Sequence, residues 1–158
     1  MTIDPATFRS VLGRFASGVT VVTARDESGT DHGMTVSAFC SLSLHPPLIL
    51  MCVEQGAEMH PILERAHHCA VSILEEHQES LSRRFAEPMT DRFQGIGYTR
   101  QVTGAALLDD ALAHVECELL ERHPGGDHTI FIARVIAAGA TSERPLIYYR
   151  GGYAQMER

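Results

Sequence analysis

The sequence predicts a mainly β chain, an antiparallel barrel with two or three helices packed outside it, and three observations carry that prediction. Short runs rich in β-branched and apolar residues recur about six or seven times along the 158 residues. Helical spacing appears in only a few short stretches. Near the C-terminus, an alternating segment, a Pro-Gly-Gly-Asp turn and a second apolar segment read as a hairpin. The length suits one domain over residues 1–158, and there is no internal repeat or low-complexity tract.

In chain order, Asp4-Pro5 reads as an N-cap followed by proline in the first helical turn. Phe8, Val11, Leu12 and Phe15 then form the stripe of an amphipathic helix, with Gly18 placed to end it. Val19 to Ala24 is a β-branched strand, and Asp26 to Asp31 is a turn. The segment Gly33 to Pro47, GMTVSAFCSLSLHPP, reads as extended. Alternation would set Thr35, Ser37, Ser41 and Ser43 on one face and Val36, Ala38, Leu42 and Leu44 against a core. Leu48 to Val53 is a buried strand, His60-Pro61 opens a short helix through Arg65, and Cys69 to Leu74 is again a strand. A helix follows over Glu75 to Phe85. Pro88 to Gly97 and Gly104 to Ala111 read as irregular. In the hairpin, Ala113, Val115, Cys117 and Leu119 oppose His114, Glu116 and Glu118, and Thr129 to Ala138 runs back. Ile147 to Arg150 is a last strand ending in Gly151-Gly152.

Composition narrows the function. Net charge is −7, which argues against a nucleic-acid surface. No apolar run reaches about 18 residues, and the N-terminus lacks the basic and apolar regions of a secretory signal, so no membrane span and a cytoplasmic location are expected. The four cysteines, Cys40, Cys52, Cys69 and Cys117, form no C-x-x-C pair and read as buried free thiols. The adjacent His67 and His68 would point apart on any regular element, so no metal site is predicted. All 13 basic residues are arginine, so any phosphate held by a side-chain cation here is held by arginine.

The hydroxyls and backbone N–H groups of Gly33 to Pro47 suit phosphate or ribityl oxygens, although on this stretch alone a strand with a polar outer face is the better reading. Five companion segments tip the balance: FRSVLGRFASGVTVVTA (Phe8 to Ala24), PPLILMCV (Pro46 to Val53), SRRFA (Ser82 to Ala86), GDHTIFIARV (Gly126 to Val135) and PLIYYRGGY (Pro145 to Tyr153). In this order and spacing the chain resembles the short-chain flavin reductases, the reductase components of two-component flavin-dependent monooxygenases. The resemblance covers nearly the whole chain.

It implies a Greek-key split barrel, usually a homodimer, that binds FMN or FAD and takes hydride from NADH or NADPH. Met34, Thr35, Val36, Ser37 and Ala38 would lie along the isoalloxazine and ribityl chain, with Cys52, Val53 and the loop holding Ala57 beside them. Arg83, Phe85 and Ala86 would meet the phosphate end, Arg84 being the alternative cation; by itself an arginine pair is a solvated helix face. Gly126 and Asp127 would lie near the flavin, and Tyr149 and Tyr153 against the rings, whereas Tyr148 reads as packing. His128 is the residue assigned to the reaction, lining the nicotinamide site without passing a proton. Hydride transfer needs little acid–base help, which accounts for the lack of a triad, and without G-x-G-x-x-G nicotinamide would dock over the exposed flavin. Where relatives carry hydroxyls, this chain has Gly56, Ala57, Glu58 and Met59, which implies loosely held flavin. The usual proline is also absent from Gly104 to Leu107. The resemblance admits two alternatives: a flavin-binding protein with its own oxidase activity, and a silent dimerisation module.

Overall fold

The computed structural model describes residues 1–157. In order, the elements are α1 (Pro5–Leu12), β1 (Ser17–Gly18), β2 (Thr20–Arg25), β3 (Asp31–Val36), β4 (Phe39–Ser43), β5 (Leu48–Glu54), α2 (Met59–Arg65), β6 (His68–Ile73), α3 (Glu79–Ala86), β7 (Tyr98–Thr99), β8 (Leu107–Leu108), β9 (Ala113–Gly125), β10 (His128–Ala140), β11 (Ile147–Tyr149) and β12 (Gly152–Ala154).

Asp4 caps α1 as the sequence predicts, accepting the Thr7 N–H at 2.9 Å. The helix stops at Gly13, short of Gly18. The Gly13 carbonyl is taken by the Arg150 N–H at 2.8 Å, so it cannot continue the helical ladder. The stripe that the spacing predicts faces outward: Phe8, Val11 and Leu12 are each more than half exposed, and α1 buries no residue.

Seven strands form one antiparallel sheet in the order β3-β2-β6-β9-β10-β5-β4. Its outermost strands, β3 and β4, are separated in sequence by only Ser37 and Ala38. Three residue steps from Val36 to Phe39 span at most about 11 Å, so the sheet must curl until its edges nearly meet. The edges are not laddered to each other; the chain alone crosses the seam. This is a barrel split along one line, in keeping with the predicted class. The single strand read from Gly33 to Pro47 is therefore two, one on each side of the seam, and Leu42 and Leu44 are exposed, not set against a core.

Burial on both faces of β2 divides the interior. Val22 and Ala24 enter a cluster with Val36, Met51, Val53, Leu63, Cys69, Cys117 and Phe131, closed by α2. Val19 and Val21 point the other way, into a cluster with Leu74, Phe85, Leu108 and Leu146 beneath α3. Burying a side chain the size of Phe85 contributes about 1.5–3 kcal/mol. Gly33 makes room for it: a Cβ there would stand 2.7 Å from the Phe85 ring.

Other boundaries also differ from the sequence reading. Glu75 to Gln78 is a turn in which the Glu75 N–H donates to the Gln78 side chain at 2.9 Å, so α3 starts at Glu79. Of the stretches read as irregular, Gly104 to Ala111 contributes β8, which pairs with β7 just beyond Gly97. Beyond Tyr149 the chain turns through Arg150 and Gly151, both at positive φ, and returns as β12 against β11. Glu116, assigned to the polar face of the hairpin, is fully buried. It accepts the Thr103 N–H at 2.8 Å, the Thr103 hydroxyl at 2.7 Å and the Val102 N–H at 3.2 Å, and so anchors the 100–106 segment that covers it. Cys69 and Cys117 are buried as predicted, but Cys52 is half-buried and Cys40 exposed, because β4 lies at the open edge of the sheet. No described helix is long and apolar enough to cross a membrane.

Candidate functional site

The seam crossing is the chemically distinctive place in the molecule. Ser37 and Ala38 are exposed. Their carbonyls are used, Ala38 by the Cys52 N–H and Ser37 by the Phe39 N–H, each at 2.9 Å. Among the described residues their N–H groups meet no backbone acceptor, which leaves two adjacent donors unengaged at the exposed crossing.

Beside the crossing is a cleft of about 190 Å³ lined by Val19, Thr35, Ser37, Ser82, Ala86, Tyr148 and Tyr153. A chain of hydrogen bonds builds its wall: Thr35 Oγ1 donates to the Ser82 carbonyl at 2.6 Å, and Ser82 Oγ meets Tyr153 Oη at 2.8 Å. Tyr148 packs edge-on to Tyr153 with centroids 5.5 Å apart. The Arg83 guanidinium stands 4.8 Å from the centre of the Tyr153 ring and pairs with Glu79 at 2.7 Å. Arg84 is committed elsewhere, donating to the carbonyls of Arg92 and Gln94 at 2.6 Å, so Arg83 is the cation at this cleft.

On the far side of the crossing lies the β9–β10 turn. Gly126 takes φ 67, a value that suits glycine, and the Asp127 carbonyl accepts the Gln55 N–H at 2.9 Å. His128 stands opposite Glu54 in the ladder, one strand removed from Ala38. At about 4.8 Å between strands and 3.3 Å per residue, the backbones of His128 and Ala38 are roughly 12 Å apart. His128 Nδ1 meets Asp127 Oδ1 at 2.7 Å, and this bond holds the Asp127 carboxyl below its ordinary range. Nδ1 is thus engaged, and Nε2 is the ring nitrogen left to face a ligand.

A second cleft, of about 380 Å³, also takes residues from β3. It is lined by Thr30, Asp31, His32, Gly33, Glu58, Met89, Thr90, Asp91, Arg92 and Phe93. Arg92 Nη2 and Nε donate to the Glu87 carbonyl at 2.8 and 3.0 Å, while Nη1 reaches the Gly33 carbonyl at 3.3 Å and Glu58 Oε2 at 3.5 Å.

Of the residues singled out from sequence, Thr35, Ser37, Ala86 and Tyr153 share the first cleft, with Arg83 at its rim. Ala38 and Cys52 are joined by a hydrogen bond, and Gly126, Asp127 and His128 follow on the other side. Burial pushes the Cys52 thiol up from its ordinary value. Val36, Val53 and Phe85 are buried in the core, where their side chains support the site from below. Met34 and Ala57 are half-buried and pack on the first core cluster. Tyr149 is exposed and lines neither cleft, whereas Tyr148, read as mere packing, lines the first. Arg92 escaped the sequence reading because it sits in the aperiodic stretch 88–97. Glu75, Glu76 and His77 bring ligand-type atoms within 4.8 Å of one another, and Glu76 is already paired with Arg144 at 2.7 Å.

Known proteins share this chain's sequence pattern and fold. The family described as "Flavin reductase like domain" matches residues 12–157. The reductase subunit HsaB of a flavin-dependent monooxygenase from Rhodococcus jostii (strain RHA1) is 40% identical over 156 residues, 98% of this chain and 80% of that protein. The reductase component of 4-nitrophenol 4-monooxygenase/4-nitrocatechol 2-monooxygenase from Rhodococcus opacus is 41% identical over 96% of this chain and 80% of its own length. The structure of the NADH:FAD oxidoreductase SgcE6 of Streptomyces globisporus C-1027, in complex with NAD and FAD fragments, superposes with a TM-score of 0.93 at 37% identity, covering 99% of this chain and 97% of that one. By fold and by sequence over almost its whole length, the chain belongs to the flavin reductase like domain family.

Proposed function

We propose that the protein is an NAD(P)H-dependent flavin reductase that supplies reduced FMN or FAD to a separate monooxygenase. The observation that carries this reading is the pair of unengaged N–H groups at Ser37 and Ala38, flanked by the Thr35–Ser82–Tyr153 cleft. The donor set fits a flavin: adjacent backbone N–H groups match the carbonyl and nitrogen acceptors along the edge of the isoalloxazine ring. When bound, flavin supplies the hydride acceptor at N5 and the nicotinamide supplies the donor at C4.

The chain's own residues position and polarise. Ser37 and Ala38 hold the ring edge and favour negative charge there, without reorganising at the moment of reaction. Tyr148 and Tyr153 wall the cleft, and Arg83 is the first cation met by a tail leaving the crossing along α3. His128, steadied by Asp127, shapes the approach of the nicotinamide. The Cys52 N–H, donating to the Ala38 carbonyl, holds β5 against the crossing. A reaction drawing on nicotinamide nucleotide belongs in the cytoplasm.

The working unit is a homodimer. Ile3, Phe8, Val11, Leu12 and Phe15 are all more than half exposed along the N-terminal stretch, an apolar surface that a second copy would cover. The deciding experiment is aerobic oxidation of NADH and NADPH by purified protein with and without added FMN or FAD. Oxidation that requires flavin supports the reading. Flavin binding without faster oxidation replaces it with a flavin-binding protein that has no reductase role.

A further inference from the structure

We propose that the turn Glu75-Glu76-His77 is a binding site for a divalent first-row transition cation, with Zn²⁺ the ion its donors suit. The turn lies between β6 and α3, and none of its three residues lines either cleft. The inference is independent of the flavin reading above.

On a helix or strand the side chains of neighbouring residues point apart, so three in a row converge only where the backbone turns. Here it does. The Glu75 N–H donates to the Gln78 side chain at 2.9 Å, and Glu75 Oε2 accepts the His77 N–H at 2.9 Å. The turn is also pinned to the chain near its C-terminus, because the Glu76 N–H donates to the Arg144 carbonyl at 2.9 Å and Glu75 bridges to Pro145. Held this way, the two carboxylates and the His77 ring bring one ligand atom each within 4.8 Å of one another.

Glu76 supplies the observation that points to a ligand. Its side chain is only 5% exposed, yet protein groups serve one of its oxygens alone. Oε1 takes both Arg144 Nε at 2.9 Å and Nη2 at 2.7 Å, whereas Oε2 is buried with no hydrogen-bond partner among the described residues. A buried carboxylate oxygen left unpaired is unfavourable, and a cation relieves it. His77 Nε2 stands 3.9 Å from Glu75 Oε1 and 3.7 Å from Glu76 Oε1, too far for hydrogen bonds. Donor atoms sharing a tetrahedral ion lie about 3.3 Å apart, and the His77 side chain, 75% exposed, is free to close the difference. Two carboxylates against the one guanidinium of Arg144 leave a net negative charge for the ion to meet. An imidazole nitrogen beside carboxylate oxygens favours Zn²⁺ over Mg²⁺ and Ca²⁺, which take oxygen ligands. Water completes the coordination on the exposed side.

The test is calorimetric titration of Zn²⁺, and separately of Mg²⁺, into chelator-treated protein, using the parent chain, His77→Ala and His123→Ala. Both histidines are exposed, so neither change threatens the fold, and His123, bonded to Glu121 at 2.6 Å, is the control. The parent should bind a single Zn²⁺ per chain. His77→Ala should weaken that binding about tenfold or more, with His123→Ala unchanged within about twofold and Mg²⁺ bound far more weakly than Zn²⁺. Added Zn²⁺ should raise the midpoint of thermal unfolding more in the parent than in His77→Ala, since the ion fastens a turn that the folded chain alone assembles. No uptake of Zn²⁺ by the parent, equal binding by His77→Ala, or equal affinity for Mg²⁺ would overturn the site.

Discussion

Ser82 and Tyr153, 71 positions apart in sequence, meet hydroxyl to hydroxyl at 2.8 Å. The bond ties α3 to β12 and so fixes the wall of the cleft beside the seam. Tyr153→Phe would leave the buried Ser82 hydroxyl without this partner, a loss of about 1–3 kcal/mol. The midpoint of thermal unfolding should fall by several degrees. Adding Ser82→Ala should recover much of that, because the two residues act through one bond. Losses that simply add in the double variant would show that they do not.

His128→Ala should raise the KM for NADH by about tenfold, the equivalent of one good hydrogen bond, while flavin affinity stays within about twofold. Steady-state kinetics and flavin titration read the two separately. Weaker flavin binding with an unchanged KM would move His128 from the nicotinamide side of the site to the flavin side.

Glu116 makes a prediction in pH. Burial raises the pKa of its carboxyl, but the Thr103 N–H and hydroxyl and the Val102 N–H outweigh burial and hold it below the ordinary 4.5. A lowered folded pKa contributes stability that is fully present above 4.5 and is lost as pH falls through the folded value. Glu116→Gln should therefore cost about 2–3 kcal/mol at neutral pH. The gap between the two unfolding curves should narrow as the medium is taken below pH 4.5. A gap that is constant down to acid pH would mean that the carboxylate's charge plays no part.

Val11→Asp should break the proposed dimer without harming the protomer, since Val11 is 54% exposed and packs on no core cluster. Light scattering at micromolar concentration should move from two copies to one, with the far-ultraviolet spectrum unchanged. A parent protein that already runs as one copy would rule the dimer out.

Much of this fold is legible in the residues. Asp4-Pro5 announces a helix start, and Pro124 to Asp127 a hairpin, because capping and turn chemistry are local. The seam is not local. Ser37 and Ala38 look like the middle of one alternating strand, and nothing near them says that β3 and β4 belong at opposite edges of a seven-stranded sheet. Glu116 reads as outward-facing because alternation assigns it there, yet a loop returning from residue 103 covers it. Arg83 and Arg84 are equivalent in sequence and unlike in space, one beside Tyr153 and the other holding the 91–94 segment. Met59 has the same lesson: the loop pattern sets it beside a ligand, but it is buried in the core.

Strand order also governs when the site comes into being. The β9–β10 hairpin can pair as soon as its own residues emerge, since every contact is close in sequence. Ser37 and Ala38 cannot take up their bridging geometry until five further strands stand between β3 and β4. The pair of free N–H groups is then a property of the finished topology alone, absent from any partly folded chain. Flavin quenching followed during refolding should accordingly lag the recovery of β-sheet signal and report the closing step itself.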